Sequence, residues 1–336
     1  MARNPTTTAY TAAVRRTAPL LALLALALLA AGCADDEPAT APPEPEPTAQ
    51  TADFPRADGR TAGELEAGAD EGPILSPSVS VLDPGRNRFA FALYDTARKH
   101  ITGAQVALYT ARRDGKGAHG PYPARLESLA VKPQFASRTS SGDPDAAKTV
   151  YVADLPFRDR GQRAVWALVR LDGRMLRTNT HSIDVGAREA VPRVGERAIR
   201  VSTLTAADVG NDLKRITTRV PPARELLRDD FADVLGKRPV VITFATPQLC
   251  QSRVCGPVVD IVEQVRSTAP RRVAFIQQEI YVDNEVSKGV RPQVARWHLP
   301  TEPWTFVIDR SGRISARFEG AFSVGELQRA VEKVAG

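Results

Sequence analysis

Two folded regions of different class are expected, an all-β region followed by an α/β region, carried behind an export signal. Three observations point there. Between about 74 and 186 apolar residues alternate with period two. Beyond about 200 the pattern turns to strand and helix in succession. Residues 20–31 form a charge-free apolar stretch that stops just short of a cysteine.

The bulk numbers set the frame. At 336 residues the length suggests two domains. A hydrophobic share of 43% is ample for real cores and excludes wholesale disorder. Three cysteines are too few for a disulfide scaffold. No apolar run reaches 18 residues, which excludes a multispanning membrane protein. The net charge of +6 is unevenly spread: residues 1–32 carry +3, residues 33–72 carry −9 from eleven acids and two bases, and the rest carries +12. A basic body behind an acidic segment reads as ordinary solubility charge, or as attraction to an anionic surface such as lipid headgroups. Nucleic acid is not an expected partner, because no dense Lys/Arg run with interleaved aromatics occurs.

Residues 1–33 form a targeting segment. Arg15 and Arg16 precede the twelve apolar residues Leu20–Ala31, which suit a signal sequence and are too short to span a bilayer. Ala30-Ala31-Gly32 then leads to Cys33. This resembles the lipobox of bacterial lipoproteins, with Ala30 where Leu is commoner. The resemblance implies cleavage before Cys33, its lipidation, and a chain held at the extracytoplasmic face of a cell membrane. Two or more acyl chains make a stable anchor where one is marginal. The alternative is a plain secretory signal with an incidental cysteine. Residues 34–73, with seven prolines, eleven acids and Phe54 as the one aromatic, are expected to be a disordered tether.

From 74 to 186, strands are expected at Ser78–Leu82, Arg88–Tyr94, Ala104–Thr110, Thr149–Asp154, Arg163–Leu171 and His181–Val185, separated by clusters such as Asp83-Pro84-Gly85 and Asp172-Gly173. Short alternating strands without helices suggest an immunoglobulin-like β-sandwich. Trp166 reads as core. His119 and Met175 belong to no spaced ligand cluster. This region reads as a spacer or docking module. Residues 187–200 are a charged linker.

In the region 201–336 the expected order is a helix over Arg224–Leu235, a buried strand Pro239–Ala245, a loop Thr246–Cys255, and a helix from Gly256 to about Ser267 with Pro257 in its first turn. Val258, Ile261, Val262 and Val265 make that helix's apolar stripe. A strand Arg272–Tyr281 follows, then a hairpin of Trp304–Asp309 with Arg313–Glu319. A closing helix Ser323–Val334 starts with the capping box Ser323/Glu326.

This order resembles the thioredoxin fold. Cys255-Gly256-Pro257 matches the first three residues of its Cys-Gly-Pro-Cys signature. The segment 235–246 resembles the approach to the redox site in membrane-tethered relatives, and Glu302–Gly312 resembles the cis-proline segment and the hairpin after it. The resemblance is to thioredoxin-like, TlpA- and peroxiredoxin-related domains of lipoproteins. It implies a thiol–disulfide oxidoreductase acting on a protein thiol or disulfide partner, with Pro303 in cis beside the reactive sulfur and no cofactor.

The departures are specific. Val258 replaces the second signature cysteine, and the other thiol, Cys250, precedes the first, giving Cys-x4-Cys. On a regular helix positions i and i+5 point about 140° apart, so a disulfide requires one sulfur in the loop, which the sequence allows. Cys255 at the helix start, with Arg253 nearby, is assigned as nucleophile and Cys250 as resolving partner. Two alternatives stand beside redox chemistry: a structural disulfide in a non-enzymatic binding lipoprotein, and Sco-like copper binding by Cys250, Cys255 and His298. The spacing differs from the Cys-x3-Cys of Sco-type proteins.

Overall fold

The computed structural model describes residues 48–336. The signal segment 1–33, Cys33 and the first part of the expected tether, 34–47, lie outside the described residues. The described chain is mostly β, with few helices. Its elements begin with α1 (Ala62–Glu66), β1 (Asp70–Glu71), β2 (Ile74–Pro77), β3 (Gly85–Tyr94), β4 (Gln105–Ala111), β5 (His119–Pro123) and β6 (Arg125–Ser128). There follow α2 (Arg138–Ser141), β7 (Thr149–Phe157), β8 (Gly161–Leu171), β9 (Arg174–Arg177) and β10 (His181–Val185). Two sheets result, one in the order β1-β9-β8-β4-β5 with β10 also on β8, the other β2-β3-β7-β6.

Period two is explained by what each face meets. Phe89, Phe91 and Leu93 of β3 and Tyr151, Ala153 and Leu155 of β7 point into a core shared with Val106 and Leu108 of β4 and Val165, Ala167 and Val169 of β8. The intervening Ala90, Val150 and Val152 belong to a second core, shared with the C-terminal region. Successive side chains on a strand point to opposite faces, so the sheet β2-β3-β7-β6 is buried on both. Asp172-Gly173 forms a hairpin turn, both residues at positive φ (50° and 74°), but it joins β8 to β9 rather than to the strand 181–185.

Four expectations for local structure are corrected. Residues 48–73 are not a tether: Phe54, Ala57 and Leu65 are buried against Tyr109 and Trp166, and β1 pairs with β9. Tyr109 donates its hydroxyl proton to the Pro55 carbonyl at 2.6 Å. Three apolar anchors were diluted in the average by the acids and prolines upstream. Within 74–186 the first strand is 74–77 rather than 78–82, because Val81 and Leu82 leave the sheet for two different cores. The linker 187–200 is docked, with Val191 buried and Gly195, Glu196 and Ala198 bonded to the backbone of 312–314. The helix 224–235 breaks into a 3-10 turn (Arg224–Leu227) and α3 (Phe231–Val234). Asp230 interrupts it, since its carboxylate accepts from Thr203 N–H at 2.7 Å and from Ala232 N–H at 3.0 Å. Strands β5, β6 and β9 were not anticipated: they are short, and β5 carries two prolines.

The remaining elements are β11 (Val240–Phe244), α4 (Cys255–Thr268), β12 (Ala274–Gln278), α5 (Pro292–Ala295), β13 (Trp304–Ile308), β14 (Ile314–Glu319) and α6 (Val324–Glu332). They form a four-stranded sheet in the order β12-β11-β13-β14. β11 runs parallel to β12 and antiparallel to β13, and β13 antiparallel to β14. Val241, Phe275 and Val307 face α4 and α6; Val240, Ile242, Phe244 and Phe306 face Phe231 and Trp297. Both faces are covered, so the strands read as continuous apolar runs rather than alternations. The capping box forms, Ser323 Oγ accepting from Glu326 N–H and the Glu326 carboxylate from Ser323 N–H.

Candidate functional site

β11 ends at Phe244, and the chain then loops through Cys250 before α4 starts at Cys255. A parallel β-strand feeding a helix leaves its loop at the carboxyl end of the sheet, where such folds place their sites. Thr218 Oγ1 accepts from Gln248 N–H at 3.1 Å, and Cys250 O accepts from Arg253 N–H at 3.3 Å. Arg253 adopts φ +58° to close this turn. The turn brings the two Cα atoms to 6.0 Å, and Cys250 and Cys255 are joined in a disulfide.

The two sulfurs sit in different surroundings. Cys255 is fully buried at the first turn of α4, while Cys250 keeps 6% of its surface and accepts a bond from Ser252 Oγ at 3.2 Å. Burial weighs against Cys255 as the sulfur a partner meets first, the role expected from its helix start and from the nearby Arg253. The positive charge of Arg253 is also committed elsewhere, in an ion pair with Asp143 at 2.8 Å.

A second strand delivers the other half of the site. The Glu302–Pro303 bond is cis and stands immediately before β13. Glu302 Oε2 lies 3.9 Å from Cys255 Sγ, and Tyr281 donates its hydroxyl proton to Glu302 Oε1 at 3.4 Å. Burial, reinforced by the neighbouring Glu279, pushes the Glu302 carboxyl up to about 7, against the opposing pull of Thr246 N–H and the Tyr281 hydroxyl. Glu279 is itself 1% exposed, and burial raises its carboxyl too, although Thr218 N–H donates to it. The same burial and the Glu302 charge raise Tyr281. A part-buried carboxyl, Glu302, therefore stands beside the sulfur on α4, with the buried Glu279 close enough to raise it. In the sequence Glu302 stands out only as part of the proline segment. Its position directly before Pro303 was the available signal, while Glu279 and Tyr281 carried none that could be told from a strand end.

The other candidates fall away from this centre. His298 is exposed at φ +54°. Among the described residues no group of three or more His, Cys, Asp or Glu is arranged to hold a metal ion, and the two thiols of the suggested copper set are spent on each other. His119 is exposed on β5, and Met175 packs at the edge of the Trp166 cluster. Among the described residues no helix is long and apolar enough to cross a membrane.

No family model matches the chain, and no curated protein matches it. Among solved structures, a thioredoxin-family thiol:disulfide interchange protein from Chlorobium tepidum TLS is similar over 43% of this chain and 98% of its own, at 20% identity and a TM-score of 0.29. The filamin domain of Lin-41 is similar over 35% of this chain and 93% of its own, at 8% identity and a TM-score of 0.18.

Proposed function

We propose that this chain is a thiol–disulfide oxidoreductase that works through Cys250 and Cys255, in a thioredoxin-like C-terminal domain spanning 201–336. One observation carries the reading: Glu302, with its carboxyl near 7, sits 3.9 Å from the sulfur at the head of α4 and directly before a cis-proline. The strand order β12-β11-β13-β14 and the sequence strand, cysteine loop, helix, strand, proline, hairpin, helix support it.

The chemistry is an exchange. A partner thiolate attacks Sγ of Cys250, the less buried of the two residues. A mixed disulfide forms between the partner and Cys250, and Cys255 leaves as a thiolate. Protonated Glu302 is placed to give that thiolate its proton. A second partner thiolate then attacks the partner sulfur of the mixed disulfide. The partner departs as a disulfide, Cys250 leaves as a thiolate, and the pair has gained two electrons. In the reverse direction ionised Glu302 takes the proton from Cys255 as it resolves the mixed disulfide. Replacing Cys255 with Ser should trap the partner on Cys250; recovery of no mixed disulfide from an oxidised or reduced partner pool would reject the reading.

Burial of both sulfurs favours a second reading, a structural disulfide in a binding protein. Resistance of the native pair to reduction without denaturant would decide for it. We further propose, from the lipobox at Cys33, that lipid at this residue anchors the protein to the extracytoplasmic face of a membrane. The region 74–186 would then act as an immunoglobulin-like spacer or docking module.

A further inference from the structure

We infer that residues 129–148, between β6 and β7, are a cover over the Cys250–Cys255 pair whose outer half moves aside to admit a partner thiol. This segment belongs by chain order to the first region, yet it lies on the second. Leu129 joins the core cluster that holds Cys250 and Cys255, with Val131 and Ala147 packed against it. It meets α4 at Gly256, through Ser140, and at Asp260, through Ser137, two positions buried beyond the apolar stripe expected from spacing.

The cover is held unequally at its two ends. Its inner end is anchored on α4. Ser137 donates from N–H and Oγ to Asp260 Oδ2 at 3.0 and 3.1 Å, and Arg219 Nε donates to Asp260 Oδ1 at 2.8 Å. Arg219 also reaches the Phe135 carbonyl at 2.8 Å. All three side chains of this anchor are buried. Breaking a buried, hydrogen-bonded ion pair strands a charge, so this end is firm. The outer end is a latch on the disulfide loop itself. Asp143 pairs with Arg253, and Ala147 N–H donates to the Arg253 carbonyl at 3.2 Å. Half of the Arg253 side chain faces solvent, and such pairs are weak and screened by salt. Arg253 lies inside the ring that the disulfide closes, so the latch grips the loop a partner has to reach.

Between anchor and latch, Ser140 rests on the first turn of α4. A Cβ on Gly256 would stand 2.7 Å from Ser140 Oγ. A side chain at 256 would push the Ser140 hydroxyl off its 3.1 Å contact with Ser137 Oγ, beside the anchor. The inference does not rest on the oxidoreductase reading, because it concerns access to the pair and not turnover.

The test measures how fast dithiothreitol reduces the pair in the full folded chain. Dithiothreitol supplies two electrons and two protons and closes to its own disulfide, and alkylation followed by mass determination counts the freed thiols. Gly256→Ala should lift the cover and speed reduction several-fold. Adding Ser140→Ala, which removes the clashing oxygen without altering charge, should return the rate to wild type. Asp143→Asn should also speed reduction, and salt should speed the wild type but not this variant. Wild-type rates in a folded Gly256→Ala variant, or failure of Ser140→Ala to restore them, would overturn the cover. If Gly256→Ala does not fold, the Asp143→Asn rate and its salt response decide in the same way. A gated pair that never traps a partner would sink the function proposed above and leave the cover standing.

Discussion

Glu302 is kept protonated to about 7 by burial first and by Glu279 second. Two pH effects follow. The carboxyl is raised in the folded chain above its ordinary value, so its contribution to stability is full at low pH. That contribution is lost as pH rises from the ordinary carboxylate range through about 7. The loss stays below the ~3 kcal/mol that the shift alone implies, because Glu302 is only partly buried. Glu302→Gln should flatten this slope in urea titrations between pH 4.5 and 8. The second effect is kinetic. Reduction of the pair, expressed per thiolate of the reductant, should fall above about pH 7 as the proton donor to Cys255 is lost. Glu302→Gln should remove that inflection, and an unchanged profile would detach Glu302 from the exchange. Cys255 itself shows what a linear reading misses. Its place at a helix start was legible, and α4 begins there. Its burial was not, because the core that encloses it is assembled from distant parts of the chain.

Secondary elements were legible where one physical rule dominates. β11, α4, the hairpin of β13 and β14, and the capping box of α6 follow from apolar runs, turn residues and a Ser/Glu pair, and they appear within a few residues of expectation. They were illegible where tertiary contacts decide. The run 224–235 has helical spacing, but Asp230 is worth more as a cap for α3 and an acceptor for Thr203 than as a helix interior. Asp230→Ala should cost about 1 kcal/mol, in keeping with a lost cap. On α4 the polar residue matters most. Asp260 and Arg219 form an ion pair whose side chains keep only 2% and 6% of their surface. Asp260→Ala should destabilise the fold by about 3–5 kcal/mol in chemical denaturation, since it leaves the guanidinium buried without its partner. A loss below about 1 kcal/mol would mean that the pair is not buried as described.

Across the chain, the boundary between its two expected domains is crossed repeatedly. Arg88 and Arg125 of the first region both bind Glu326 of α6, and Glu319 of β14 accepts from Ser80 and Val81. The sheet β2-β3-β7-β6 is buried on its far face by the C-terminal core. Residues 48–73 belong to this assembly too. Phe54→Ala should therefore cost about 3–5 kcal/mol, as core phenylalanines do, whereas a tether residue would cost nothing measurable by thermal melting. Cys33→Ala should move the protein from the membrane to the soluble fraction, and retention after salt washing would reject lipid anchoring. The most direct test of the proposed exchange is the reduction potential of the native Cys250–Cys255 pair, measured at equilibrium with glutathione. A working exchange pair should sit above about −300 mV and reduce without denaturant. A potential below that value, with both sulfurs unreactive until the chain unfolds, would make the disulfide structural and contradict the function proposed for this site.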